Sequence, residues 1–595
     1  LDMDINDAFW DLLLKAQVPK RIQEKLSREN LKLLFWEEIG KLEEYRLLWE
    51  KVHENVQRNL ELSTALLESI PASCAGLYPL ARRMHRHFIL HVGPTNSGKT
   101  HEAITALEEA GEGIYLGPLR LLAYEQYERM NAEGFPCSLV TGEEERIIPG
   151  ASFQASTAEM ASLSRPYRAA VIDEAQMMAD KSRGGAWTAA ILGLCAAVIH
   201  VCLSPEAEDL CKAMVTECGD SFEVIYHERK CPLEPDSMRR FSFPEDVQEG
   251  DALLVFSRKD VHGVAAELQE NNIPCSIIYG ALPYDVRHQQ AEDFSKGRTK
   301  VVVATDAIGM GMNLPIRRVV FLERSKYDGL KRRELLPQEY RQLAGRAGRF
   351  GLHEKGFFTA LGSKGEKKEI SQRIQEEAFP IKKAYLSFPS SLRYMGDRLS
   401  ETLFLWTNLP DPPGYAKESV SSKIILAEMA EEITKDRDLI YTFACFPFNH
   451  REDALLDVWK GMLLSACDGK HYSCPEWVLI APNPRNNDLA ALERQYRALD
   501  MLYYYKRHFE PEAYENLEEI RENLSHLILE ILRAQKLKQR TCRYCQKKLP
   551  WYHPYAMCDE CHRDRYSSRD WYYGGGNWYE DDDYEDEDDL DDEEE

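Results

Sequence analysis

The chain has 595 residues, 44% of them hydrophobic and 29% charged. That excludes a single small binding module and corresponds to roughly four domains at the usual ~150 residues each. The formal charge of −25 is uneven: residues 580–595 (EDDDYEDEDDLDDEEE) hold fourteen acids and no base, and −25 less those fourteen charges leaves only −11 for the rest, so a nucleic-acid footprint has to be a local channel or patch.

Residues 1–80 place Leu31, Leu34, Phe35, Ile39 and Leu42 at helical spacing in a Leu-, Glu- and Lys-rich stretch, which predicts an N-terminal helical domain. From 81 to 240 short β-rich runs (RHFILHVGPT, GEGIYLGPL, YRAAVIDEAQ, AAVIHVCLSP) alternate with helical stretches. The same alternation restarts over 241–375 with DALLVFSR, PCSIIYGAL, TKVVVATDA and IRRVVFLER. Strands that alternate with helices mean α/β domains, each a parallel sheet with crossover helices. Asp328-Gly329 reads as the turn of a β-hairpin that leads toward QLAGRAGR. Amphipathic helices fill 376–540, a cysteine cluster occupies 541–566, and 567–595 combines WYYGGGNWY with the acidic tail. The tail is too charged to form a core, which predicts disorder; it either solubilises the chain or folds back on a basic surface as a tethered polyanion. No apolar run approaches the ~18 residues of a membrane span, and LDMDINDAFWDLLLKAQVPK has neither a signal-peptide core nor transit-peptide composition, which predicts a cytoplasmic protein without membrane contact.

GPTNSGKT follows the strand-like FILHV and supplies Gly93, Pro94, Thr95, Asn96, Ser97, Gly98, Lys99 and Thr100. This is a phosphate loop: the glycines let backbone amides wrap the phosphates, Lys99 reaches the β and γ oxygens, Thr100 ligates magnesium, and the following helix aims its positive end at the anion. ATP and Mg²⁺ are the cofactors it predicts. Seventy residues on, AAVID ends in Asp173-Glu174-Ala175-Gln176, with Asp173 positioned for the metal and Glu174 for activation of the attacking water. QLAGRAGR then puts Arg346 and Arg349 three apart, which predicts two arginine fingers on one face of a helix.

Of fifteen cysteines, eleven are scattered singly, as reduced core thiols are. The other four, Cys542, Cys545, Cys558 and Cys561, form C-x2-C-x12-C-x2-C. Two Cys-x-x-Cys hairpins can close a tetrahedral structural Zn²⁺ site; two disulfides or four unrelated thiols are the alternatives. From Arg533 to Arg569 ten Lys or Arg face three acids, with Tyr544, Trp551, Tyr552 and Tyr555 interleaved. That composition suits an RNA-holding knuckle, or a ribbon that staples the last helix to the body.

The set GPTNSGKT, GPLRLLAYE, TGEE, ASTAEM, VIDEAQM, ATDAIGMGMNLPI and QLAGRAGRF closely resembles the superfamily-two DExH-type RNA helicases of the mitochondrial RNA degradosome (the suppressor-of-var family) and their bacterial relatives, from about residue 77 to 351. LIYTFACFPF and LDMLYYYKRHF are similar to the family's C-terminal helical domains, whereas LSPEAEDL stands where the third motif usually carries a Gly-Glu-Pro-like run. The resemblance implies two tandem RecA-like domains, flanked by helical domains, around an ATP cleft. It implies Gln342, Arg346 and Arg349 as γ-phosphate sensors, Gly311 as a further nucleotide contact, and RNA contacts at Arg120, Thr141, Gly142, Thr157, Thr305 and Asp306. It also implies 3′ to 5′ movement on single-stranded RNA, unwinding of overhang duplexes, and a role in RNA turnover beside an exoribonuclease. A DNA-directed or dual-specificity translocase and an RNA-binding scaffold with a vestigial ATPase are the competing readings. Dependence on ribose 2′-hydroxyls separates the first, and the intact charged set speaks against the second.

Overall fold

The structure, a computed structural model, describes residues 57–566 apart from 143, 239, 310–311, 313, 328–330, 350, 377–378, 481–488, 515, 535–540 and 554–556. The helical stretch around Leu31, the Asp328-Gly329 turn, Gly311, Tyr555, WYYGGGNWY and the acidic tail lie outside the described residues.

The first α/β region is an eight-stranded sheet ordered β4-β3-β5-β2-β6-β7-β1-β8. Its strands are β1 (His87–Val92), β2 (Gly113–Gly117), β3 (Cys137–Val140), β4 (Glu145–Arg146), β5 (Phe153–Thr157), β6 (Tyr167–Ile172), β7 (Ala196–Leu203) and β8 (Ser221–Tyr226). All pairings are parallel except β3 with β4. Helices α1 (Lys99–Ala110), α2 (Arg120–Ala132), α3 (Gly184–Gly193) and α4 (Glu208–Glu217) make the crossovers. Helices on both faces bury every residue of β2, so the strand reads as a continuous apolar run. Val92 of β1 pairs Leu203 of β7, and Val201 of β7 pairs Ile172 of β6. The carboxyl ends of β1 and β6 therefore reach the same edge of the sheet, where ligands bind in open α/β folds.

The second region is a six-stranded parallel sheet ordered β11-β12-β10-β13-β16-β9. It is built from β9 (Leu233–Pro235), β10 (Asp251–Leu254), β11 (Cys275–Ile278), β12 (Val301–Ala304), β13 (Arg318–Phe321) and β16 (Gly356–Ala360), with helices α5 (Arg258–Glu270), α6 (Tyr284–Ser295), α7 (Pro337–Ala344) and α8 (Lys364–Gln375). Because β9 joins its edge, this sheet begins upstream of residue 241. Strands β14 (Ser325–Tyr327) and β15 (Arg332–Glu334) form the antiparallel hairpin expected around residue 328. The two sheets are the two RecA-like domains of the α/β class that the sequence implies.

The helical region after 376 divides. Phe388–Pro413 and Ser419–Cys445 gather with the helix over 57–69 in one compact unit, where Arg58 bonds Glu401 at 2.9 Å and Trp406 packs edge-on to Phe388. Both sheets and the chain from Phe446 onward make the other unit. There the helices Leu489–Phe509 and Leu517–Arg533 reach the second sheet domain. Glu493, 1% exposed, accepts from Tyr279 Oη at 2.5 Å and pairs Arg258 at 2.9 Å, and Arg533 pairs Asp293 at 2.8 Å.

Candidate functional site

The loop after β1 is built to hold anions. Asn96 and Gly98 take positive φ (62° and 89°), and Gly98 caps α1, whose first residue, Lys99, is 6% exposed with Nζ on Pro94 O at 3.2 Å. Ser97 Oγ is buried without a hydrogen-bond partner. An orphaned hydroxyl among free amides at a helix N-terminus fits a phosphate. A Cβ at Gly93 would sit 2.6 Å from His227 O, so only glycine lets the chain pass there.

The acids stand beside it. Asp173 Oδ1 accepts from Thr100 Oγ1 at 3.0 Å and from the Glu174 amide at 2.9 Å, while Oδ2 accepts from Tyr115 Oη at 3.0 Å. Burial, with the charge of Glu174, raises the Asp173 carboxyl to about 6 against the opposing pull of Lys99. The Thr100 and Asp173 oxygens converge as a hard-cation pair, which fits Mg²⁺. Glu174 has the left-handed backbone of φ 49° and ψ 46°. Burial works against its charged form, but Lys99 and Arg346 prevail and hold it below the usual carboxylate range. Gln176 Nε2 donates to Glu174 Oε2, and Gln176 Oε1 accepts from the Ser204 amide at 3.2 Å.

The second sheet domain supplies Arg346, with Nη2 3.6 Å from Glu174 Oε1, Nε on Gly309 O at 3.1 Å, and 8% exposure. Gln342 Nε2 meets the same carbonyl at 3.0 Å. The expected helical face is corrected here. Helix α7 ends at Ala344 with Gly345 as its cap, and Arg346 and Arg349 follow outside it; between them Gly348 takes φ 77° and packs too tightly for a Cβ, 2.6 Å from Gly356 N. Arg346 points into the acid cluster, while the charge of Arg349 falls on Glu125 of α2, a carboxyl that burial raises to about 7.

One contact residue escaped the motif reading. Arg229 in the link between the sheets donates to Thr95 O at 3.1 Å, to Gly345 O at 2.7 Å and to Ala347 O. Its only signal is a cation in HERKCP just before the second domain. Ser204 and Glu206, in the unusual third motif, also touch the site: Ser204 through Gln176, Glu206 through Arg341 of α7 at 3.2 Å.

Two family models cover this part of the chain: the DEXQ-box helicase domain of Suv3 over residues 74–227 and the helicase conserved C-terminal domain over 237–351. The rice ATP-dependent RNA helicase SUV3L, mitochondrial, is 34% identical over 487 residues, 76% of this chain and 64% of its own. The chicken protein of that activity, SUPV3L1, mitochondrial, is 37% identical over 394 residues, 63% of this chain and 49% of its own. Yeast SUV3, mitochondrial, is 34% identical over 398 residues, 63% and 51%. Residues 74–227 are similar to the Suv3 helicase domain and residues 237–351 to the general C-terminal helicase domain, so the likeness covers the two sheet domains. The chain spans between about half and two thirds of the length of these relatives. The expectation of a cytoplasmic protein is overturned, since the relatives are named mitochondrial; it rested on the composition of twenty residues, which does not report a compartment.

Several of the residues expected to touch RNA are held in protein contacts or buried. Arg120 Nη2 bonds Glu144 at 3.0 Å and its guanidinium stacks 5.0 Å over Tyr284. Thr141 Oγ1 caps the same turn, accepting from the Glu144 amide at 3.0 Å, with Gly142 between them. Thr157, at the end of β5, is 8% exposed and Thr305 is 7% exposed. Asp306 pairs Lys326 of β14 at 2.8 Å.

The four clustered cysteines come together, their sulfurs within 4.8 Å of one another and unbridged. Backbone amides of Cys545 and Tyr544 face Cys542, where Gln546 N meets Cys542 O at 2.9 Å. The second pair departs from the expected hairpin: Cys558 and Cys561 flank the start of the helix Asp559–Tyr566. Four converging thiols with amide donors fit Zn²⁺. Trp551 is 3% exposed and packs on Phe243 and Gly263 of the second sheet domain, whereas Tyr544 and Tyr552 are exposed.

Proposed function

We propose that the chain is an ATP-dependent RNA helicase of mitochondrial RNA turnover. It hydrolyses ATP between the two sheet domains, moves along single-stranded RNA in the 3′ to 5′ sense that the family resemblance implies, and opens duplexes with an overhang. The observation that carries this reading is Arg346 Nη2 at 3.6 Å from Glu174 Oε1: a cation of one sheet domain meets the water-activating acid of the other. Loop amides and Lys99 bind the β- and γ-phosphates, Thr100 and Asp173 orient the metal, Glu174 takes the proton of the attacking water, and Arg346 steadies charge that grows in the transition state. Bound Mg²⁺ offsets phosphate charge. Domain closure is thereby tied to hydrolysis, and hydroxyls and amides at the sheet edges grip a strand without reading bases. The Cys542, Cys545, Cys558 and Cys561 set holds a structural Zn²⁺, and an exoribonuclease is the partner that consumes the opened strand.

The test is unwinding of RNA and DNA duplexes bearing a 3′ or a 5′ overhang, with ATP or a non-hydrolysable analogue. ATP-dependent opening of the 3′-overhang RNA is expected. Equal opening of DNA would sink the RNA assignment, and opening without hydrolysis would sink the motor.

A further inference from the structure

Three histidines that the nucleotide chemistry does not use share one face of the first sheet. Side chains two apart on a strand point the same way and paired residues of neighbouring strands share a face. His91 of β1 therefore lies with Ile89, whose partner on β7 is His200, and with Ile225 of β8, two residues before His227. Helix α1 lies over the same sheet and contributes Glu102 in its first turn. His91 Nδ1 is 3.0 Å from His227 Nε2, His91 Nε2 is 3.0 Å from His200 Nδ1, and Glu102 Oε2 is 3.9 Å from His227 Nδ1. His91 is 1% exposed, while Glu102 is 55% exposed and opens the group to solvent. One ligand atom from each of His91, His227 and Glu102 falls within 4.8 Å of the others.

We propose that His91, His227 and Glu102 form a second metal site, for zinc or a similar late first-row divalent ion, beside the phosphate loop. Two nitrogens 3.0 Å apart can share one zinc at ~2.0–2.1 Å from each, at an angle somewhat below tetrahedral, with the half-exposed Glu102, now nearest Nδ1 of the His227 ring, turning toward Nε2 to complete the set. A ligating His91 carries its proton on Nε2 and donates it to His200, the outer hydrogen bond by which metal-bound imidazoles are oriented. The donor set selects the ion class. Two imidazoles and one carboxylate suit zinc, whereas magnesium and calcium want several oxygens, and the charges of Lys99 and Lys230 near His227 disfavour an ion that relies on charge alone. His91 precedes Gly93 by two residues, Glu102 follows Thr100 by two, and the His227 amide bonds Val92 O at 2.8 Å. An ion here joins both stems of the phosphate loop to β8.

Full-length wild type, His227→Gln, Glu102→Gln and the Cys542→Ser, Cys545→Ser pair are dialysed against zinc in excess magnesium, and bound zinc is counted by elemental analysis. Wild type should hold one equivalent more than His227→Gln, and Glu102→Gln, a half-exposed change that spares the fold, should weaken that equivalent at least tenfold. Cobalt loaded into the cysteine pair variant should give ligand-field bands without a thiolate charge-transfer band, and these should vanish on addition of His227→Gln. The comparison stands whatever the cysteine cluster holds. Equal zinc in wild type, His227→Gln and Glu102→Gln overturns the proposal and leaves a hydrogen-bonded histidine chain.

Discussion

Arg229 and Gly345 are joined by a 2.7 Å hydrogen bond, and the same guanidinium nitrogen donates to Thr95 O at 3.1 Å. One cation of the interdomain link thus ties the phosphate loop to the turn that carries Arg346. Charge-assisted bonds of this kind are worth ~1.5–3 kcal/mol each. Arg229→Gln should lower RNA-stimulated ATP turnover about tenfold with little change in ATP affinity, read by steady-state kinetics beside equilibrium nucleotide binding. Unchanged turnover would make the link passive.

Lys99→Ala and Glu174→Gln should abolish turnover while the fold survives, because both side chains serve phosphate or water rather than the core. Turnover should fall at least ~10²-fold, the scale of one lost transition-state contact, with an unchanged circular dichroism spectrum. Activity within twofold of wild type in either variant removes the assignment.

Arg346 and Arg349 should separate. Arg346→Ala removes the guanidinium that faces Glu174 and should cut hydrolysis by ~10³-fold or more with ATP still bound. Arg349→Ala acts beside Glu125 and should show a smaller loss in single-turnover assays. Equal losses would mean that Arg349 reaches the nucleotide in the working cycle.

Glu144 holds Arg120 at 3.0 Å, so the strand contact proposed for Arg120 requires that pair to open. Glu144→Gln should tighten nucleotide-free binding of single-stranded RNA severalfold, and Arg120→Gln should weaken it and reduce the salt slope by about one. Fluorescence anisotropy across a salt series measures both. An unaltered slope in Arg120→Gln argues against a phosphate contact.

The cysteine module should depend on zinc locally. The Cys542→Ser, Cys545→Ser pair should lose the metal and become protease-sensitive only near 541–566, since the sheet domains have cores of their own and a structural zinc supplies ~10–16 kcal/mol to its own segment. Gly263→Val should release the module with zinc retained, because a Cβ at Gly263 would lie 2.9 Å from Trp551 Cβ. Proteolysis with mass spectrometry separates the two cases.

The sequence exposes the strands that are apolar on both faces and the motifs that sit on their carboxyl ends. The interior strands β2 and β12 are of that kind. Strands such as β3, β5 and β8 do not show in the pattern: β5 reads FQAST, with three of its five residues polar, and β8 is an edge strand whose Phe222 and Tyr226 stay exposed. Helical spacing in QLAGRAGR points to a helix through Arg346 and Arg349, whereas the helix stops at Ala344 and the left-handed Gly348, packed against Gly356, keeps the segment from continuing it. Arg229 had no motif to announce it because it bonds carbonyls, and carbonyls are present at every residue. Trp551 looked like a stacking surface for RNA, but composition cannot tell an aromatic that meets a base from one that meets Phe243.

Glu174 is held in the left-handed backbone region at φ 49° and ψ 46°, a conformation that costs a non-glycine residue ~1–3 kcal/mol. The acid is therefore placed by a backbone that would relax if the residue were glycine or asparagine. A more heat-resistant chain would carry one of those residues at 174 and lose the acid that the proposed hydrolysis requires, so endurance and performance pull this one position in opposite directions.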